Sequence, residues 1–450
     1  MKWGLLKSLV GEKNGLRSQL VRGGVGSICV RVANIALVFV MAIVLARHLG
    51  VEGYGVYSYV LALVSLIAIP AQLGLPALVV RETAKAEAER DWGRLRGVWR
   101  WAGLTASAFS LLLAITAGSL AWLFAGSFRN VELAAFVWGA AFVPLVALES
   151  LRGAALRGLR KVVQGQLPSQ IIRPALLIII VLIYGAYIQH PVRADYAMAF
   201  NVLAAAIAFA IGAWLLKRER PQALVDDCSR PVYESRRWLK SALPFAFISG
   251  LLFINTQTDI VMLGWFRTAQ DVGVYSIAAK GAILAMFGSK IIDMVARPYF
   301  AKLYAGNETK TIQRLATVSG RIGFSLAILV TIVVVLLGKA MLQFVFGSEY
   351  VVGYPALVIL VCAQLVRAGC GIPNVLLEMS GHEHLTAKVM GLVACSNIIL
   401  NLVLIPLFGM EGAALATACT VLISGGALSC MVRTRLGVDC SALGLLANRR

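Results

Sequence analysis

Ten ionisable residues stand inside or at the ends of long apolar runs: Arg31, Glu149, Arg173, Asp259, Lys280, Lys290, Asp293, Arg297, Arg321 and Arg367. Charge in such a setting is chemistry of binding rather than of bond-making, because an ion kept from water must be paired, hydrated in a cavity, or matched by a guest. Arg31, Lys280 and Arg367 lie deepest and have no opposite charge within helical reach. Lys290, Asp293 and Arg297 fall at three- and four-residue spacing and can form a ladder on one helix face. Arg173, Arg297 and Arg321 lie near a boundary, where a long side chain snorkels to the interface. Asp259 follows Asn255 by one turn and reads as a counter-ion for Lys280 or as an ion-coupling carboxylate, with Asp293 and Asn255 as further candidates for that role. Cations outnumber anions at depth. A chamber holding Arg31, Lys280, Lys290 and Arg367 suits an anionic guest, and the guanidinium fork suits phosphate.

The elements that must position these groups are membrane helices. The 450-residue chain is 59% hydrophobic and 14% charged, with a mean hydropathy of +0.80; soluble domains carry roughly 25% charged residues. About twelve stretches are long enough to cross a hydrocarbon core as helices: 24–46, 54–80, 98–125, 131–151, 168–189, 194–216, 241–266, 271–296, 317–338, 350–377, 385–408 and 411–432. They are continuous runs, not the alternating ten-residue strands of a closed barrel. In the eighth, Lys280, Lys290 and Asp293 would cost up to about 10 kcal/mol in lipid against a return of around 6 from its apolar residues, so its charged side must face the bundle interior.

The net charge of +20 does not mark a nucleic-acid partner. Lys and Arg crowd alternate loops (1–23, 81–100, 152–161, 217–240, 297–314 and the tail from Arg433), while the intervening loops hold Arg47, Arg129, Arg193, Arg267 and Lys339. This alternation places both termini in the cytoplasm and makes the number of crossings even. The eight cysteines lack a disulfide or metal spacing and read as packing residues. His382 and His384, two apart in "GHEHL", lack a third ligand. "GGVGSI" at 23–28 follows no strand, which removes a nucleotide-binding reading, and no ATPase motif is present. No cofactor is expected. A membrane enzyme would need catalytic groups on a sizeable outer loop, and the outer loops are short.

"GVYS" occurs at 55–58 and again at 273–276, each time opening a helix after a short outward turn. With the polar stretch 217–240 between them, the copies divide the chain into a basic amphipathic N-terminus (1–23), a six-helix half (24–216), a cytoplasmic linker (217–240), a second six-helix half (241–436) and a cytoplasmic tail (437–450). Six helices return the chain to its starting side, so the halves are parallel repeats about a pseudo-twofold axis along the membrane normal. Rocking one half against the other would open the chamber between them to alternate sides.

The stretch "LARHLGVEGYGVYSYVLALVSLIAIPAQLGLPALVVRETAK" (45–85) resembles the opening of bacterial polysaccharide flippases of the multidrug/oligosaccharidyl-lipid/polysaccharide exporter superfamily. "NLVLIPLFGMEGAALATACT" (401–420) resembles that family's late Ile-Pro, aromatic-Gly and Gly-Ala-Ala signature. The resemblance covers essentially the whole chain. It departs at Gln72, where many relatives carry an acidic residue, so an ion-coupling role there does not transfer. The resemblance implies an all-α, MATE-like fold of twelve transmembrane helices in a bacterial inner membrane. It implies a non-enzymatic flippase moving an undecaprenyl-pyrophosphate-linked oligosaccharide outward for polysaccharide or O-antigen export, with Arg31 matching a basic first-helix site and a polysaccharide polymerase complex as a candidate partner. Two competing readings are an ion-coupled multidrug exporter of the same superfamily and a non-transporting scaffold of a polymer-synthesis complex.

Overall fold

A computed structural model describes residues 16–123, 130–187, 192–226, 229–306 and 308–442. The amphipathic stretch expected at the N-terminus lies outside these up to residue 15, as do Arg129, His190, Cys228 and the last eight residues. Every described element is helical: α1 (Leu16–Gln72), α2 (Leu75–Glu89), α3 (Trp92–Leu123), α4 (Asn130–Gly158), α5 (Val162–Leu167), a π turn (Pro168–Ile172), α6 (Arg173–Tyr187), α7 (Ala194–Glu219), α8 (Gln222–Asp226), α9 (Ser235–Phe266), α10 (Ala269–Ala285), α11 (Phe287–Ala305), α12 (Thr309–Met341), a second π turn (Leu342–Phe346), a 3-10 turn (Ser348–Gly353), α13 (Tyr354–Gly369), α14 (Pro373–Met379) and α15 (Glu383–Leu436).

Two of these are double rods. Gly50 breaks α1 with φ 70° and ψ 177°, and Gly409 breaks α15 with φ 60° and ψ −132°. Both lie in territory that only glycine occupies cheaply. Each also opens the same four-residue pattern, Gly50-Val51-Glu52-Gly53 and Gly409-Met410-Glu411-Gly412, a signal for these breaks that hydropathy alone hides. Among the described residues, eight helices, including the two double rods, are long and apolar enough to cross a membrane, and bent α9 makes a ninth. Dividing the double rods and adding the interrupted pair α10 and α11 is compatible with twelve crossings. A Cβ on Gly50 would meet nothing within 4 Å. Gly50→Ala is therefore expected to cost about 1–3 kcal/mol through the backbone alone, seen as a lower unfolding temperature in detergent.

Several apolar runs are interrupted where hydropathy reads them as continuous. The second rod of α1 ends at Gln72, and the chain turns through Leu73 and Gly74, both at positive φ, before α2. The run at 271–296 is cut at Met286. That at 350–377 stops at Gly369, with the short α14 following. The stretch 217–240, read as a linker, contains α8 and the first turns of α9.

The chain forms two compact units, one of Met1–Val44 with Ile67–Ser249 and the other of Leu45–Leu66 with Gly250–Arg450. In the first, α4 packs against α7, α3 and α2, around a core that includes Leu75, Leu78, Val98, Leu151 and the fully buried Trp238. In the second, α13 packs against α15, α12 and α10. Its core draws in Val438 and Cys440 from beyond α15, out of the segment that reads from sequence as a cytoplasmic tail. Gln313 explains the difference: its amide brackets Asp439, donating to the carbonyl at 2.6 Å and accepting from the N–H at 2.7 Å.

The two copies of the repeated phrase meet inside the second unit. A Cβ on Gly55 would stand 1.7 Å from the Ala269 carbonyl oxygen, and one on Gly273 would stand 2.3 Å from that of Val51. The helices touch backbone to backbone where each copy places its glycine.

Candidate functional site

Asp259 sits on α9 in the second unit, 7% exposed, and its carboxylate is enclosed by neutral donors from two other helices. Tyr275 on α10, the tyrosine of the second "GVYS", donates its hydroxyl at 3.0 Å. Asn397 and Asn401 on α15 donate their amides at 3.1 and 2.7 Å, and the Thr417 hydroxyl beyond the Gly409 break completes the shell. Asn397 and Asn401 share a face because they lie four residues apart in a helix. Hydrogen bonds to a charged group contribute about 1.5–3 kcal/mol each, so four of them offset a desolvation cost of several kcal/mol. Asp259, Tyr275, Thr417 and the two amides also gather hard oxygen atoms, the donor type a small cation prefers. Asn255, one turn earlier, donates to the carbonyls of Leu251 at 3.0 Å and Met390 at 3.4 Å.

Lys280 is held elsewhere in the same unit. Its ammonium donates to the Tyr54 hydroxyl and lies 4.9 Å from the centroid of that ring, an arrangement that favours the cation by about 0.5–2 kcal/mol. Tyr54 is fully buried, so the ammonium has a fixed anchor and its other donors remain for a guest.

A second charged neighbourhood joins α11, α13 and α14. Arg297 pairs with Glu378 at 2.6 Å, while Asp293 lies within electrostatic reach of Arg367, Arg297 and Lys290. The local ladder of Lys290, Asp293 and Arg297 is thus a cross-helix cluster: Arg297 turns to α14, and Oδ1 of Asp293 is buried without a hydrogen-bond partner. Three cations and two carboxylates leave one net positive charge. Arg367 is exposed. The structure therefore brings Lys290, Asp293 and Arg367 together and ties Lys280 to Tyr54, while Arg31 stands exposed on the first unit.

The first unit has its own buried pair. Glu149 on α4 accepts from Arg173 at 3.2 Å, with side-chain exposures of 5% and 30%. Arg173, which reads from sequence as a snorkelling residue, follows the π turn Pro168–Ile172 and pairs with Glu149 on α4 instead. Arg152, one turn beyond Glu149, donates to the Phe209 carbonyl at 3.0 Å. Arg173→Ala is expected to cost about 3 kcal/mol by stranding the carboxylate. Arg173→Ala combined with Glu149→Gln should recover most of the loss, as thermal unfolding of the three variants would show.

Tyr54, Tyr275, Asn397, Asn401 and Thr417 are the polar residues that sequence reasoning passed over. The four-residue spacing of Asn397 and Asn401 within "SNIILNLVLIP" and the repeated "GVYS" that holds Tyr275 are the visible signals for three of them.

Long apolar rods arranged in two units of helices define an all-helical, multi-pass membrane protein. Its fold is that of a lipid II flippase, MurJ, in an inward closed conformation: TM-score 0.70, 15% identity, 90% of this chain and 87% of the other. It matches an inward-facing multidrug resistance MATE family transporter of the MOP superfamily almost as well, with TM-score 0.69, 13% identity, and 92% and 98% coverage. The chain belongs to the polysaccharide biosynthesis protein family, whose profile matches residues 20–304. A relative in that field is the probable low-salt glycan biosynthesis flippase Agl15 of Haloferax volcanii, 24% identical over 196 residues, which are 43% of this chain and 42% of the relative. The match thus spans less than half of that protein's length.

Proposed function

We propose that this protein is a flippase that carries an undecaprenyl-pyrophosphate-linked oligosaccharide from the cytoplasmic to the outer leaflet of a bacterial inner membrane, for polysaccharide or O-antigen export. The observation that carries this reading is the set of cations within the apolar helices, with Lys280 anchored on Tyr54 and with Lys290 and Arg367 gathered around Asp293. Family membership and the flippase name of the glycan relative support it. In this reading Arg31, Lys280, Lys290 and Arg367 receive the pyrophosphate, the sugar stays in the aqueous chamber and the polyprenyl tail remains in lipid. Two six-helix halves, 24–216 and 241–436, rock in alternating access with both termini in the cytoplasm. A polysaccharide polymerase complex takes the cargo on the outer side.

Asp259 is the coupling group. A proton or a small monovalent cation would reach the carboxylate only as one of the donating hydroxyls or amides turns away, and its arrival would neutralise the charge without breaking an ion pair. The membrane potential supplies a further drive, since moving anionic charge outward from a negative cytoplasm releases about 2.3 kcal/mol per charge per 100 mV. Proteoliposomes holding a fluorescent lipid-linked oligosaccharide test the reading: translocation is expected to require the protein and to slow when the potential is collapsed. Translocation of a lipophilic cation instead of the lipid-linked sugar would refute it.

A further inference from the structure

The first turns of α9 carry a stripe that neither the core nor the transport reading uses. At 100° per residue, Arg236, Lys240, Leu243 and Phe247 fall within about 60° of one another around the helix. All four are exposed, Leu243 at 55% and Phe247 at 68%. The opposite face, with Trp238 and Ala242, is fully buried in the first unit's core, so the direction of the stripe is fixed. The chain leading into it is fixed as well. Arg96 donates to the carbonyls of Ser229 at 2.7 Å and Leu224 at 2.5 Å, and the N–H of Val232 donates to the Gly93 carbonyl at 3.0 Å. Exposed Arg230 and Tyr233 therefore sit on a held strap beside the stripe.

Charge follows the same order along the axis. Arg237 is paired with Glu234 at 2.9 Å, whereas Arg230, Arg236 and Lys240 have no ion-pair partner among the described residues. Two unpaired cations one turn apart come first, followed within about 10 Å by two large apolar side chains on the same line. A water-soluble anion would match only the first pair and leave Leu243 and Phe247 against water. A phospholipid matches both, its phosphate on the cations and its acyl chain along Leu243 and Phe247.

We propose that Arg236, Lys240, Leu243 and Phe247 form a binding site for one anionic phospholipid of the surrounding bilayer, with Arg230 and Tyr233 at its rim. The site is separate from the cationic groups of the second unit and does not rest on the flippase reading. It works by ordinary counter-charge and burial, so phosphatidylglycerol should bind in preference to phosphatidylcholine.

The test is native mass spectrometry of the delipidated full-length chain titrated with each lipid. Wild type is expected to hold phosphatidylglycerol well above phosphatidylcholine. R236Q/K240Q is expected to weaken phosphatidylglycerol about twenty-fivefold, at about fivefold per charge, and to leave phosphatidylcholine unchanged. If the double variant does not remain monodisperse, R236Q and K240Q singly should each show the fivefold loss. Equal binding of the two lipids by wild type would overturn the proposal. So would undiminished phosphatidylglycerol binding by the folded variants, or displacement of that lipid by millimolar inorganic phosphate.

Discussion

Asp259→Ala is expected to abolish coupled translocation and to lower the stability of the second unit by about 2–4 kcal/mol. Removing the carboxylate strands the Tyr275 and Thr417 hydroxyls and the Asn397 and Asn401 amides. Each orphaned donor costs about 1–3 kcal/mol, offset in part because a buried charge no longer has to be desolvated. Asp259→Asn keeps the volume and one acceptor, and should cost less than half as much in stability while still losing at least about tenfold in translocation. That split separates a coupling role from a structural one. Thermal unfolding and flipping rates on the same preparations measure it, and an Asn variant that transports at the wild-type rate would leave Asp259 as a helix clamp only.

The second large effect belongs to the meeting of the two repeated phrases. Gly55→Ala and Gly273→Ala each place a methyl group against backbone oxygen, at 1.7 and 2.3 Å in the unrelaxed structure. Backbone cannot swing aside as a side chain does, so the helices must part, at about 2–3 kcal/mol for each variant. The costs should not add. Once one methyl group has separated the helices the second enters space already opened, so the double variant is expected to fall short of the sum by more than about 1 kcal/mol. A double-mutant cycle by thermal unfolding reads this directly, and strict additivity would mean that the two glycines do not share one crossing.

What could be seen in the sequence followed from short-range physics. Apolar runs gave the rods, and the surplus of deep cations singled out Arg31, Lys280, Lys290 and Arg367, of which Arg31 belongs to the first unit and the other three to the second. The second copy of "GVYS" marked the corner where Tyr275 reaches Asp259. The partners of these charges were hidden because they lie far along the chain. Tyr54 is 226 residues from Lys280, and Thr417 is 158 from Asp259. Helical periodicity says nothing about which faces meet across such distances. Local spacing even pointed elsewhere: Lys290, Asp293 and Arg297 suit an intrahelical ladder, yet Arg297 lies 2.6 Å from Glu378, 81 residues on. The interruptions at Gly50 and Gly409 were written in the sequence as Gly-x-Glu-Gly, but an averaged hydropathy runs straight through them.

The decisive measurement is the outward flipping of a fluorescent undecaprenyl-pyrophosphate-linked oligosaccharide in proteoliposomes, comparing wild type with Arg31→Ala, Lys280→Ala and Arg367→Ala at equal reconstituted amounts. If these cations receive the pyrophosphate, each variant should lose about tenfold or more, the equivalent of one charge-assisted contact, and a neutral-headgroup lipid should not be flipped by any of them. Wild-type rates in all three variants would contradict an anionic cargo held by these side chains.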